Sequence, residues 1–164
     1  MKRLFSPWRS QYIATFKDGH KKKDDCLFCR LAKERNDAKN LVLARKEHCF
    51  VVMNRYPYNS GHLMVVPYSH KSTFEGLSRE EYADVMETTS AMISLLGKVS
   101  QPQGFNFGAN LGRAAGAGID QHVHFHLVPR WNGDTNFMPT VAEVKIISEE
   151  TRKIFDALRK ALRK

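Results

Sequence analysis

Cysteine is scarce in this chain: three in 164 residues, Cys26, Cys29 and Cys49. That number and spacing exclude a disulfide-stapled secreted scaffold, and a chain of this length buries enough surface to need none. No apolar run approaches the roughly 18 residues of a membrane-spanning helix. No signal peptide is legible, since the opening MKRLFSPWRS breaks at Pro7 and Trp8. The expectation is a cytoplasmic protein without a membrane partner. Internal repeats and long low-complexity linkers are missing, as is the Gly-Lys-Ser/Thr of a Walker phosphate loop.

Positive charge is plentiful but unevenly placed. The net charge is +9. Residues 1–35 carry +6, residues 141–164 carry +3, and residues 36–140 balance nine basic against nine acidic side chains. Basic ends attract polyanions such as RNA or nucleotides. A neutral centre without a stripe of basic and aromatic residues speaks against a nucleic-acid-binding module, and solvated lysine-rich ends account for the excess.

The element pattern predicts one α+β domain over 1–164. Residues 1–25, with Pro7, Gly19 and Lys21-Lys22-Lys23, read as an irregular basic segment. A short helix is expected over Leu27–Arg35. A buried strand is expected over His48–Met53, turn formers over Asn54–Gly61, and a strand over His62–Val66 stopped by Pro67. Ser78 with Glu81 makes a capping box. The following helix repeats apolar residues at Tyr82, Val85, Met86, Met92, Ile93, Leu96 and Val99 until Pro102 and Gly104 end it. Its methionines read as core filler. Phe105–Asn110 is a further strand. A C-terminal helix within 148–164, from about Glu149, is expected to bury Ile154, Phe155, Leu158 and Leu162.

The chemistry concentrates in His122-Val123-His124-Phe125-His126-Leu127-Val128. In an extended strand alternate side chains share a face, so three imidazoles line one side roughly 6.5 Å apart while Val123, Phe125 and Leu127 enter a core. The strand is expected to end at Pro129. Upstream, Gly108 to Gly118 holds four glycines beside Asn110, a turn whose backbone N–H groups can converge on an anion. A second constellation is Cys26-Leu27-Phe28-Cys29. Two thiolates at this spacing chelate one zinc if two further ligands join them; otherwise they are packed thiols.

The alternating histidines match the signature of the histidine triad (HIT) superfamily of nucleotidyl hydrolases and transferases, and this chain resembles that family over most of residues 26–139. Asn54, Ser60-Gly61-His62-Leu63 and the Gly-rich turn after Asn110 support the likeness. Pro7-Trp8-Arg9, Asn54–His70, Ala115–Ile119 and Val128–Trp131 with Gly133–Pro139 resemble its bacterial diadenosine tetraphosphate (Ap4A) phosphorylase branch.

The resemblance implies the HIT fold, a mostly antiparallel sheet with a long helix, and a homodimer. It implies His124 as nucleophile on the α-phosphorus of a nucleotide, forming a nucleotidyl-histidine. His126 would donate to phosphoryl oxygens and His62 would support the row from the neighbouring strand. Asn54 would contact the ribose. Asn110, Gly116, Gly118, Ile119 and Gln121 would surround the phosphates, and Trp131 would stack on a base or pack in the fold. Zinc-containing relatives join a matching CxxC to the histidine of Pro-x-x-His and the first triad histidine, which implies a structural zinc on Cys26, Cys29, His70 and His122. No catalytic metal is required.

One position departs from the family pattern. Many HIT hydrolases carry Gln four residues before the first histidine, where this chain has Gly118. The smaller residue leaves room for inorganic phosphate as second nucleophile, so phosphorolysis of Ap4A to ATP and ADP is expected. A HIT hydrolase of Ap4A or nucleotide phosphoramidates, releasing AMP, is the alternative within the family. A hydratase-type site with all three imidazoles on one metal is opposed by their strict alternation along the strand. A basic zinc-stapled nucleic-acid module is the alternative from a different class.

Overall fold

Why the histidine row faces one way follows from the sheet behind it. The computed structural model describes residues 26–134, 147 and 149–163. The expectations for residues 1–25 and for the run to Pro139 beyond Asp134 lie outside the described residues. In chain order the elements are helix α1 (Leu27–Lys33), helix α2 (Asp37–Asn40), and strands β1 (Val42–Arg45), β2 (Cys49–Met53) and β3 (Leu63–Pro67). A long helix α3 (Arg79–Ser100) follows, then strands β4 (Gly104–Gly108) and β5 (Phe125–Arg130), and helix α4 (Thr151–Leu162). The sheet is antiparallel throughout, in the order β1-β2-β3-β5-β4. The arrangement is α+β with an antiparallel sheet and a long helix, as expected.

Strands β2 and β3 are covered on both faces, which is why they read as continuous apolar runs rather than alternating ones. Every residue of both strands is buried. Val51, Met53, Leu63, Val65, Val123, Phe125 and Leu127 face α3 and α4. Phe50, Val52, Met64 and Val66 face the other way, against Phe28 and Leu31 of α1. Parity therefore places His62 on the α1 side, together with His122, His124 and His126.

Ser78 caps α3 as expected, with both bonds of the capping box formed. Arg45 closes α1. Its guanidinium donates to the carbonyls of Leu31 (2.9 Å), Ala32 (3.1 Å) and Glu34 (2.7 Å) and also binds Asp37. These are orphan carbonyls of a helix C-terminus. Gly61, with φ +74°, makes the turn into His62; a Cβ there would press on Leu96 and Pro129, both at 3.3 Å.

Several boundaries differ from expectation. The regular strand starts at Phe125, so His122 and His124 lie in its lead-in, held by the bonds Val123 N–H to Lys71 O (2.6 Å) and His122 to Pro67 O. The strand runs through Pro129 to Arg130, because Pro129 lies past the last residue paired with β3. Pro67 likewise belongs to β3. It opposes Cys49 at a non-hydrogen-bonded position flanked by Tyr68 N–H to His48 O, so its missing donor costs nothing. β4 spans Gly104–Gly108 rather than Phe105–Asn110, and α1 stops at Lys33. Strand β1 and helix α2 have no counterpart in the expectations.

The apolar stripe of α3 is only partly core. Val85, Met92 and Leu96 are buried, Val99 is half-buried, but Tyr82, Met86 and Ile93 are exposed. Met86, 53% exposed, is not core filler. In α4, Ile154, Phe155 and Leu158 are buried, whereas Leu162 lies in the last turn and is 42% exposed. No helix among the described residues is long and apolar enough to cross a membrane.

Candidate functional site

The α1-side face of β3, β5 and its lead-in carries four buried imidazoles, His62, His122, His124 and His126. Backbone groups and neighbouring rings decide which nitrogen of each holds its proton. The N–H of Tyr58 donates to His62 Nδ1 at 3.0 Å, and Asn54 Nδ2 approaches the same nitrogen at 3.4 Å. A backbone N–H can only donate, so a neutral His62 is protonated on Nε2. That nitrogen lies 2.9 Å from His126 Nδ1, which must accept. His126 therefore carries its proton on Nε2.

His124 is oriented independently. Its Nδ1–H donates to the backbone carbonyl of His122 at 2.9 Å, leaving the lone pair on Nε2. Burial lowers its pKa from the ordinary histidine value, while the bond to His122 O opposes that shift. A lowered pKa keeps the ring neutral and its lone pair available near neutral pH. The His124 and His126 rings are T-shaped at 4.9 Å between centroids, closer than strand spacing alone predicts. Phe28 packs on His124 at 4.9 Å and on His122 at 5.4 Å.

His122 turns to different work. Its Nε2–H donates to Pro67 O at 2.9 Å, so Nδ1 carries the lone pair. That Nδ1 lies 3.3 Å from Cys26 Sγ and 3.6 Å from Cys29 Sγ, and His70 Nδ1 lies 3.1 Å from Cys29 Sγ. All four ligand atoms fall within 4.8 Å of one another. Metal–sulfur and metal–nitrogen bonds of about 2.3 and 2.0 Å give a tetrahedral S–N edge of about 3.5 Å. The donor set therefore fits a structural zinc. Burial pushes the pKa of His122 down to about 4, which keeps the ring in its ligating neutral form.

The HIT domain signature matches residues 35–133, more than half of the chain. The chain belongs to the HIT domain family. This HIT chain is 39% identical over 163 residues to an AP-4-A phosphorylase of Mycobacterium tuberculosis, covering 94% of this chain and 82% of the relative. It is 29% identical over 132 residues to an adenosine 5'-monophosphoramidase of Schizosaccharomyces pombe, covering 76% and 94%. Among solved structures, a zinc-bound histidine triad family protein from Mycobacterium smegmatis superposes with a TM-score of 0.69 at 23% identity, covering 87% of this chain and 96% of that one.

The remaining expected site residues of the HIT chain surround this face unequally. Asn54 sits at the end of β2, with Oδ1 accepting from Tyr56 N–H at 2.9 Å. Asn110 Nδ2 reaches the Tyr58 hydroxyl at 3.4 Å. Gly116 has φ +88°, and its N–H, like those of Ala115 and Ala117, is spent inside the turn on Gly112 or Arg113 carbonyls. Gly118 and Ile119 follow half-buried, Ile119 packing on the α1-side cluster, and Gln121 is exposed. Trp131 lies beyond the far end of β5, its indole N–H bonded to Ser100 O at 3.3 Å.

Two features were not anticipated. Asp134 takes both arms of Arg130 at 2.7 Å, Asn59 Nδ2 at 2.7 Å and the N–H of Trp131, tying the loop before β3 to the loop after β5. Tyr58 lies over the His62 and His126 rings, 4.6 and 5.4 Å away. The density of turn formers in Asn54–Gly61 marks a loop but not that its aromatic side chain turns inward.

Proposed function

We propose that this protein is an Ap4A phosphorylase that works through a nucleotidyl-histidine on His124. The observation carrying this reading is the 2.9 Å bond from His124 Nδ1–H to His122 O, which commits one nitrogen and leaves the other as nucleophile. His124 Nε2 attacks the α-phosphorus of one adenylate, the α–β bridging P–O bond breaks, and ATP leaves. Inorganic phosphate then attacks the same phosphorus, releasing ADP and restoring the neutral ring. His126, protonated on Nε2 by the order of the preceding bonds, donates to a non-bridging oxygen. Asn110 and N–H groups beyond Ala117 complete the donors, because those of Ala115 to Ala117 are used within the turn.

The similarity to the mycobacterial AP-4-A phosphorylase over nearly the whole chain supports the substrate, and Gly118 leaves space for phosphate as acceptor. Asn54 is assigned to the ribose, Gly116, Gly118, Ile119 and Gln121 to the phosphates, and Trp131 to a base. Zinc on Cys26, Cys29, His70 and His122 would supply a rigid anchor for the lead-in to β5. The partners are the nucleotide and phosphate, with a second copy of the chain as homodimer partner and the cytoplasm as compartment. Exposed Tyr82, Met86 and Ile93 on α3 support the dimer.

Purified protein given Ap4A with and without phosphate tests the reaction. ATP and ADP formed only with phosphate is the expected result; AMP and ATP formed irrespective of phosphate would make it a hydrolase. Full turnover by His124→Ala would sink the covalent route.

A further inference from the structure

We infer that Tyr58 is a positioning residue for the transferred phosphoryl group, holding Asn110 in register with the His62–His126 pair; the inference rests on the nucleotidyl-transfer reading above. Tyr58 makes three separate contacts at the site. Its N–H donates to His62 Nδ1 at 3.0 Å. Its ring lies across His62 and His126, tilted 39° and 33° to them. Its hydroxyl receives a hydrogen bond from Asn110 Nδ2 at 3.4 Å, spanning 52 residues of sequence.

The chemistry of these contacts assigns the role. An amide nitrogen has two hydrogens. Bonding one to the phenol fixes the amide plane and leaves the second for a phosphoryl oxygen. Asn110 follows β4 and begins the Gly-rich turn, a segment without regular structure until Arg113. The phenol gives it a fixed point on a half-buried neighbour packed against two imidazole rings. Donors placed before the reaction stabilise developing charge without reorganising, so the benefit falls on the transition state rather than on substrate binding.

Tyr58→Phe keeps the ring and the backbone N–H and removes only the phenol. Turnover of Ap4A with phosphate is expected to fall roughly tenfold in kcat, the worth of one hydrogen bond of about 1.4 kcal/mol, with KM within about twofold and the melting temperature within about 2 °C. Asn110→Ala should fall further, and adding Tyr58→Phe to it should cost nothing more. Additive losses, an unchanged kcat in Tyr58→Phe, or a loss confined to KM would each overturn the inference. A second readout needs no turnover: the side-chain amide resonances of Asn110 should shift and broaden in Tyr58→Phe. Unchanged resonances would also overturn it. An active His124→Ala with shifted Asn110 resonances would instead leave the Tyr58–Asn110 hold standing and remove the nucleotidyl-transfer reading beneath it.

Discussion

The carbonyl oxygen of His122 stands 2.9 Å from Nδ1 of His124, while the ring of that same His122 turns its own Nδ1 to Cys26 and Cys29. One residue thus touches both halves of the site. Its side chain belongs to the thiol cluster and its backbone fixes the tautomer of the proposed nucleophile. Anything that anchors the His122 ring also fixes the carbonyl that orients His124.

The first prediction concerns that anchor. Protein purified without chelator should contain about one zinc per chain, and Cys29→Ser should lose it. Since metal binding free energy adds to folding free energy, the substituted protein should melt several degrees lower, a shift of roughly 4 °C or more for about 2 kcal/mol at this chain length. Elemental analysis and thermal melts check both. Metal-free protein with the same melting temperature before and after chelation would remove zinc from the account.

A second prediction follows from the order of bonds Tyr58 N–H to His62 Nδ1 and His62 Nε2–H to His126 Nδ1. Replacing His62 with Phe keeps a ring in a fully buried position but leaves His126 free to carry its proton on Nδ1. The donor then points away from the phosphate. kcat should fall by roughly 10²-fold, the cost of one lost preorganised donor, with little change in KM. Nitrogen-15 spectra should show the His126 tautomer mixing. Retention of the Nε2–H tautomer in His62→Phe would contradict the relay.

How much of this was legible without coordinates varies with the kind of contact. Alternation put His122, His124 and His126 on one face because parity is a local property of extended chain. The Cys26, Cys29, His70 and His122 cluster was legible only through family likeness, since residues up to 96 apart meet there. Periodicity found α3 but not which apolar side chains it hides. Met86 and Met92 read alike, and only the position of the sheet separates them. Strand β1 is four residues long and is stabilised by pairing with β2, so its own composition says little. Tyr58 was invisible for a similar reason: its partners lie on β3, β5 and the segment after β4.

Arg45 supports the third prediction. Three α1-end carbonyls and Asp37 share its guanidinium, and the side chain is only 15% exposed. The Asp37 carboxylate raises the Arg45 pKa, so its charge is secure. Lysine has one ammonium in place of a fork and cannot reach all these acceptors together. Arg45→Lys should therefore cost about 1–3 kcal/mol by chemical denaturation. A variant within about 0.5 kcal/mol of the parent, the range of ordinary surface changes, would show that solvent satisfies these carbonyls instead.

Cys49 carries the last prediction. It is fully buried in β2 and faces α3, where its thiol lies 3.5 Å from Thr88 Oγ1, with Asp84 beside it and Lys46 near by. Burial pushes its pKa up from 9.0 to about 12, opposed by the Thr88 bond and Lys46 and aided by Asp84. A thiol held protonated in the fold but free to ionise when unfolded binds the extra proton in the native state. Its contribution is therefore constant below pH 9 and is lost as pH rises from 9 towards 12. The loss should approach about 1.4 kcal/mol per pH unit between those limits. Cys49→Ala should remove that slope while lowering stability at neutral pH by creating a small cavity. In the folded parent near about pH 8, iodoacetamide should leave Cys49 unmodified, because the thiolate is the reacting form. Rapid alkylation of Cys49 under native conditions, or equal alkaline slopes in parent and variant, would contradict a buried, inert thiol.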